Sequence, residues 1–107
     1  MRAAEKAILE RLKSRISERL PLHQMILFGS RARGDADPDS DLDVLVVLDG
    51  PAGRSARETV SDCSWETGLE HGIVIVPIVV NRDQWERGPE RHSLLAQAIR
   101  VEGVTVP

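Results

Sequence analysis

The segment from residue 27 to residue 47, LFGSRARGDADPDSDLDVLVV, constrains the fold more than any other part of the chain. It begins in an apolar run, breaks at a Gly-Ser pair, crosses a polar stretch over residues 31–40 and returns to an apolar run. Asp41 and Asp43 stand at the start of that second run. Because successive side chains alternate between the two faces of a strand, these carboxylates are expected to project from the same face. The segment therefore predicts a strand, a turn, a charged loop and a second strand.

Length and composition favour a single hydrophobic core. A chain of 107 residues, of which 41% are hydrophobic, can bury roughly two thirds of its unfolded surface. Aromatic residues make up only 3% of the chain, so the core must consist mainly of aliphatic side chains. We therefore expect one domain over residues 1–107.

The charge and the cysteine content narrow the class of protein. A net charge of −3 gives no general attraction to polyanions, so nucleotide binding would depend on a local basic cluster or on a metal ion. Cys63 is the only cysteine, so no internal disulfide can form. The first residues lack the apolar core of a signal peptide. No stretch comes near the length of about 18 apolar residues that a membrane span requires. These features predict a soluble cytoplasmic protein.

Hydrophobic periodicity and turn signals predict the order α β β α β α α, followed by a short strand or an extended arm. The predicted elements are a helix over 4–20, strands over 24–28 and 41–48, a helix over 56–70, a strand over 73–80, a helical turn over 81–86, a helix over 90–100 and a tail over 101–107. A capping box, Ser55-x-x-Glu58, is expected to begin the second long helix. Pro77 favours an edge strand or a bulge, because proline cannot donate a hydrogen bond to a neighbouring strand. The pattern predicts an α/β (α+β) fold in which helices cover a small sheet.

Each long helix is expected to pack through an apolar face. On the first helix this face comprises Ile8, Leu9, Leu12, Ile16 and Leu20, while Glu5 and the other charged residues fall on other faces. On the second helix it comprises Val60, Cys63, Trp65 and Leu69, and on the last it comprises Leu94, Leu95, Ala98 and Ile99.

The paired carboxylates predict a cation site. Asp41 and Asp43 would repel each other and lose hydration side by side at the start of a strand, and a bound cation would relieve both effects. Sites built from oxygen ligands favour a hard ion, Mg²⁺ or Mn²⁺, which also bridges substrate phosphates.

The turn upstream of the carboxylates predicts a phosphate site. Gly29 allows a ligand to approach the backbone closely, and the Ser30 hydroxyl and local amides can contact phosphate oxygens. Arg31 and Arg33 add positive charge to the same turn. A cation site and a basic turn in one short segment suit a nucleoside triphosphate.

Structural readings of the same residues remain open. A Gly-Ser-x-x-x-Gly sequence also occurs in ordinary turns, and a run of aspartates also occurs in solvated acidic loops. Asp43 argues against the second reading, since a carboxylate between Leu42 and the apolar run 44–47 needs a partner.

Two better-known ligand motifs do not fit. Residues 29–36 have the glycine spacing of a Walker A loop but carry Asp-Ala in place of Lys-Ser/Thr. Residues 35–46 open like an EF-hand loop, but Ser40 replaces the turn glycine and Val46 replaces the bidentate glutamate.

The pattern Gly29-Ser30-x-Ala32-x-Gly34, followed by Ser40-Asp41-x-Asp43, resembles the signature of the nucleotidyltransferase superfamily that includes DNA polymerase beta. It is most similar to the minimal prokaryotic members, which are about this long and follow a similar order of elements. The resemblance implies the nucleotidyltransferase fold, a small mixed sheet of three to four strands flanked by helices.

The resemblance also implies a site and a reaction. In that family the two aspartates, here Asp41 and Asp43, are catalytic and hold Mg²⁺ or Mn²⁺, while the serine, here Ser30, helps to bind the triphosphate. The implied reaction transfers a nucleoside monophosphate, often AMP from ATP, to a hydroxyl of a protein or RNA acceptor. Minimal members are often paired with a HEPN-type protein, in some cases as an antitoxin that adenylylates the toxin. The predicted substrate-binding residues are Gly29, Ser30, Arg31 and Arg33.

The chain departs from the family pattern at one position. Fully active members carry a third acidic residue on the next strand, but residues 73–80 contain no carboxylate. The side chains that could reach the site from neighbouring elements are Glu66, Glu70, His71 and Asp83. Two hypotheses follow: an active nucleotidyltransferase, or a weak or inactive nucleotide-binding module that acts as an antitoxin-like partner of a HEPN-type protein.

Overall fold

The computed structural model describes residues 1–35 and 37–107. Its elements are α1 (Ala3–Arg19), β1 (Leu22–Phe28), α2 (Ser30–Arg33), β2 (Leu42–Leu48), α3 (Arg54–His71), β3 (Ile75–Asn81), α4 (Arg82–Arg87), a 3₁₀ helix (Pro89–His92), α5 (Leu94–Glu102) and β4 (Val104–Thr105). The predicted order of the long elements is confirmed, whereas the single turn α2 was predicted as loop. Within the described residues, no helix combines the length and the apolar character that crossing a membrane requires.

The strands form one four-stranded mixed sheet in the order β3-β2-β1-β4. β2 and β3 are parallel, while β1 runs antiparallel to both β2 and β4. α1 and α3 cover one face of the sheet, and α4 and α5 cover the other. The α/β (α+β) class and the small mixed sheet predicted from the sequence are confirmed.

β2 is the centre of the core. Its side chains at 42, 44, 46 and 48 are buried against α1 and α3, and Leu45 and Val47 are buried against α4 and α5. Asp43 is the one polar residue of β2, and it lies on the α4/α5 side because it alternates with its neighbours. A strand buried on both faces therefore carries a carboxylate near its first residue.

β3 is an edge strand, as Pro77 predicted. The Leu42 N–H donates to the Val74 C=O at 2.9 Å, so residues 74, 76, 78 and 80 direct their backbone groups toward β2. Pro77 belongs to the alternate set, which points away from the sheet. The missing N–H of proline therefore costs β3 no hydrogen bond to β2.

The predicted start of α3 is wrong in its detail. The helix begins two residues earlier, after Gly53, and no side chain caps its N-terminus. The Ser55 C=O accepts a hydrogen bond from the Thr59 hydroxyl, and Glu58 pairs with Arg54 at 3.1 Å. Ser55 is therefore already inside the helix, and the predicted capping box does not form.

The apolar faces of α3 and α5 are only partly as predicted. α3 packs through Val60 and Cys63, whereas Trp65 and Leu69 are 69% and 65% exposed. α5 packs through Ala96 and Ile99, whereas Leu94 and Leu95 are exposed. Ala98, also predicted on this face, is exposed as well. α5 follows a 3₁₀ helix and begins after Ser93, whose hydroxyl accepts the Ala96 N–H, and apolar spacing alone did not show which of its faces would pack.

Gly68 lies where α3 passes closest to the chain that enters β3. An added Cβ would stand 2.5 Å from the carbonyl oxygen of Ile73. At an open helical site Gly→Ala stabilises by about 1 kcal/mol, but overlap with backbone outweighs that gain. We expect Gly68→Ala to lower the free energy of unfolding by about 1–3 kcal/mol in urea titrations. Ser61→Ala, an exposed change on the same helix, is the control, and a more stable Gly68→Ala protein would contradict the packing described.

Candidate functional site

The structure brings the predicted phosphate turn and the predicted metal strand together. Gly29 and Ser30 follow β1 directly, and Phe28 is the Cα partner of Asp43 in the antiparallel pair of β1 and β2. Asp41 is exposed and lies one residue before β2. The turn and the two carboxylates therefore lie at the same end of the two central strands.

Gly29 is required at this position for two reasons. Its backbone has φ 76° and ψ −158°, a conformation that only glycine adopts without strain. A Cβ built on Gly29 would also lie 2.6 Å from Oδ2 of Asp43. The absent side chain therefore leaves room for the Asp43 carboxylate directly beside the turn.

The Asp43 carboxylate is electrostatically unfavourable in this surrounding. Burial raises its pKa above the ordinary value, and the neighbouring charge of Asp41 raises it further. Among the described residues, no basic side chain contributes an opposing effect on the pKa of Asp43. The ionised form would gain from a cation placed between the two carboxylates.

The two arginines of the turn point in different directions. Arg33 approaches α5 and donates to Glu102 at 3.2 Å, and it also pairs with Asp35 at 3.4 Å. Its pKa is raised, first by the hydrogen bond to Glu102 and then by Asp35. Arg31 turns toward α1 on the other side of the sheet and pairs with Glu5 at 3.2 Å. The predicted pair of phosphate-binding arginines is therefore divided between the two faces.

The Arg31 guanidinium is engaged by the protein itself. It donates to the carbonyls of Pro38 and Ser40, both at 2.8 Å, in addition to Glu5. A direct contact of Arg31 with phosphate would therefore require some of these bonds to break. Its assignment to substrate binding stays a prediction, as do the assignments of Arg33, Gly29 and Ser30.

Glu5 is the residue near the site that the sequence interpretation placed wrongly. It was assigned to a polar face of α1 but is only 2% exposed. Its spacing from Ile8, Leu9 and Leu12 already places it on the buried side of the helix. A carboxylate on the apolar side of an amphipathic helix was the signal that could have identified it.

Val76 occupies the register position at which a third carboxylate would stand. It is the Cα partner of Asp43 across the parallel pair of β2 and β3, so both side chains lie on the same face. Val76 is 39% exposed and faces open space rather than the core.

The acidic residues proposed as substitutes lie elsewhere. Glu66 and Glu70 form ion pairs with Arg15 of α1, on the sheet face opposite Asp43. Asp83 is 3.9 Å from Arg87 on the exposed side of α4. None of these contacts brings a further carboxylate to Asp43.

The two carboxylates fit a hard cation that is bound partly by the protein and partly by the phosphates of a substrate. Among residues 1–35 and 37–107, no cluster of three or more His, Cys, Asp or Glu side chains is arranged to hold a metal ion. Mg²⁺ is commonly bound through one or two carboxylates together with substrate phosphates, and it keeps several waters. Asp41 and Asp43 match that pattern, so the pair suits a metal–nucleotide complex better than a free ion.

Removal of the Asp43 charge is expected to stabilise the metal-free protein. Because the folded-state pKa is raised, ionised Asp43 lowers stability at neutral pH, and this penalty disappears as the pH falls through that pKa. We expect Asp43→Asn to raise the Tm by a few degrees at pH 7.5 in EDTA, with the gain shrinking in acid.

The control for this measurement is Asp49→Asn, at the other end of β2. Asp49 is exposed and pairs with Arg82 at 3.4 Å, so its neutralisation should give no gain. A lower Tm for Asp43→Asn, or a gain that does not change with pH, would contradict the electrostatic account.

Comparison with known sequences identifies close relatives of the chain. A family model described as "Nucleotidyltransferase domain" matches residues 9–101. Two proteins of Methanocaldococcus jannaschii, each named "Putative protein adenylyltransferase", are 34% identical over 77 residues and 37% identical over 86 residues. The alignments cover 70% and 78% of this chain, and 78% and 79% of the respective relatives.

Solved structures share the fold at lower sequence identity. A chain in a crystal structure of a toxin–antitoxin with AMP-PNP has a TM-score of 0.66 and 18% identity, covering 99% of this chain and 73% of that one. A crystal structure named as that of a putative nucleotidyltransferase from Sulfolobus solfataricus has a TM-score of 0.55 and 23% identity, covering 98% and 86%. The matched family model, with the Gly29-Ser30 turn beside Asp41 and Asp43, shows that this chain belongs to the nucleotidyltransferase domain family.

Proposed function

We propose that this protein is a metal-dependent nucleotidyltransferase that transfers AMP from ATP to a hydroxyl of a protein or RNA acceptor. The observation that carries the proposal is the contact between Gly29 and Asp43. The glycine of the turn stands directly against a partly buried carboxylate that has no cationic partner among the residues that the structure describes. This arrangement leaves a place for an anionic ligand and a cation side by side.

The residues divide the binding of the nucleotide between them. Asp41 and Asp43 would hold Mg²⁺ or Mn²⁺, which neutralises charge on the phosphates and aligns the reacting oxygens. The Ser30 hydroxyl and the backbone after Gly29 would contact the triphosphate. Arg33, half-exposed beside the turn, can exchange its surface contact with Glu102 for a phosphate oxygen.

The transfer breaks one bond and forms one. An acceptor hydroxyl oxygen attacks the α-phosphorus, the bond to the bridging oxygen of the β-phosphate breaks, and pyrophosphate leaves with that electron pair. The hydroxyl proton is released to solvent. The task of this chain is to position the reacting groups and to stabilise charge, which dominate catalysis of phosphoryl transfer.

The similar proteins support ATP as the nucleotide and a protein as the acceptor in this proposal. The relatives' names specify adenylyl transfer to protein, and one structural neighbour was crystallised with the ATP analogue AMP-PNP. The same neighbour is a toxin–antitoxin complex, which supports a protein partner, in our proposal a HEPN-type protein. An RNA acceptor is the second possibility that the same chemistry allows.

Val76 favours a second candidate function. Without a carboxylate beside Asp43 on β3, the site lacks a third ligand for metal and a ready proton acceptor. A chain that binds the metal–nucleotide complex but transfers slowly could still act as a nucleotide-loaded, antitoxin-like binding module. The two candidates differ in turnover and not in nucleotide binding.

Nucleotide binding should depend on the two carboxylates. We expect AMP-PNP with Mg²⁺ to raise the Tm, and we expect Asp41→Asn and Asp43→Asn each to remove at least most of that rise. Asp49→Asn, directly after the same strand, is the matched control and should respond like the wild type. Because Asp43→Asn alters the Tm by itself, calorimetric titration at fixed temperature should accompany the thermal measurement. A full response in both site variants would overturn the site assignment.

A carboxylate at position 76 should increase transfer. Val76→Asp would place a third acidic side chain in register with Asp43, where it can bind metal and accept a proton. We expect labelling of the proposed HEPN-type partner protein from α-labelled ATP to rise by about tenfold or more. Leu69→Asp, an exposed change on α3 on the sheet face opposite Asp43, is the control for added charge. Equal labelling by wild type and Val76→Asp would show that position 76 does not limit transfer.

A further inference from the structure

We infer that Glu5 and Arg31 form a positioning pair that fixes the loop before Asp41 for metal–nucleotide binding. This inference rests on the proposed function of the same site. In this inference Arg31 holds the loop before Asp41 and does not bind phosphate. Glu5, a buried carboxylate that the transfer reaction does not use, holds Arg31 in place. We refer to the two residues and their contacts as the Glu5–Arg31 clamp.

The clamp uses three donor groups of one side chain. Arg31 Nε donates to the Ser40 carbonyl at 2.8 Å, Nη2 donates to the Pro38 carbonyl at 2.8 Å, and Nη1 donates to Glu5 Oε2 at 3.2 Å. The second oxygen of Glu5 accepts the backbone N–H of Arg2 at 2.9 Å. The loop before Asp41 is thereby tied to the first turn of α1.

Burial makes the two charges depend on each other. The side chains of Arg31 and Glu5 are 8% and 3% exposed. A buried guanidinium that meets only carbonyl oxygens keeps its full charge without a counter-ion, which is strongly unfavourable. Glu5 provides that counter-ion, so the contacts of Arg31 with Pro38 and Ser40 require Glu5.

One side chain thereby connects the two halves of the candidate site. The backbone of Arg31 belongs to the turn and directly follows Ser30, whereas its guanidinium ends on Ser40, the residue before Asp41. Among the described residues of the polar loop, the Ser40 N–H also donates to the Asp37 carbonyl at 3.0 Å. Without the clamp, metal–nucleotide binding would have to meet the entropic cost of ordering this loop.

Glu5 distinguishes a positioning role from a direct phosphate contact. It is buried on α1, on the sheet face opposite Asp43, so it cannot touch a nucleotide held at Asp43. If Arg31 bound phosphate, loss of the Glu5 charge would free its guanidinium and leave affinity unchanged or improved. If Arg31 positions the loop, loss of Glu5 weakens binding as loss of Arg31 does.

The test is a double-mutant cycle with Glu5→Gln and Arg31→Met. The affinity for AMP-PNP with Mn²⁺ is measured by calorimetry, well below the Tm of each variant. We expect each single variant to bind about tenfold more weakly, in the range of supporting residues at metal sites. We expect the double variant to be no weaker than either, because one unit is lost. Arg31→Lys, which keeps the charge but not the planar fork, should fall between the wild type and Arg31→Met.

Hydrogen exchange gives a readout that does not require nucleotide. Glu5→Gln should accelerate exchange of the Ser40 amide much more than exchange of the Val46 amide in the core of β2. Glu58→Gln, which removes a carboxylate from an exposed pair with Arg54, is the matched control and should change neither property.

The outcomes separate this inference from the proposed function. Failure of the wild type to bind Mn²⁺–AMP-PNP would overturn the proposed function, and Ser40 exchange would still report on the clamp. Wild-type affinity and unchanged Ser40 exchange in Glu5→Gln would overturn the clamp alone. Weaker binding in Arg31→Met together with full affinity in Glu5→Gln would instead show that Arg31 contacts the phosphate directly.

Discussion

The carboxylate of Asp43 stands on a strand that is otherwise apolar. The residues around it have to accommodate a charged group at the edge of the hydrophobic core. β2 supplies core side chains to both helical layers, so it cannot move away from them without opening the interior. Gly29 leaves space for the carboxylate, and within residues 1–35 and 37–107 no basic side chain neutralises it. The protein therefore keeps an unfavourable charge at a fixed position, which is a common property of functional sites and costs stability.

α1 contributes to the core and to the site at the same time. Its apolar residues pack against the sheet, and Glu5, on the same side of the helix, reaches the loop that leads to Asp41. A rigid helix packed on a sheet is a firmer support for a loop than contacts within the loop itself. The position of the loop that leads to Asp41 therefore depends on the packing of α1, although α1 supplies no ligand to the proposed metal site.

The sequence was most informative where the signal was local. Alternating or helical spacing of apolar residues identified the long elements, and the segment around Gly29 and Asp43 pointed to a strand, a turn and a strand. Spacing does not show which residue pairs with a buried charge or which layer covers an apolar face, and the main failures concern these two points. Glu5 finds its partner 26 residues later in the chain, and Trp65 and Leu69 have helical spacing but no neighbouring layer to cover them. The roles of the individual site residues depend on a ligand and remain predictions.

Pro77 has a consequence for how this protein meets other chains. β3 is a long edge strand without a charged side chain between residues 73 and 80, and such an edge is prone to pair with a strand from another molecule. The outward-facing backbone groups include Pro77 in the middle of the strand, where a pairing partner would find no N–H. The ladder that would begin aggregation is therefore interrupted at its centre. A single imino acid therefore removes a hydrogen-bond donor from the outer edge of an uncharged, β-branched strand beside the site.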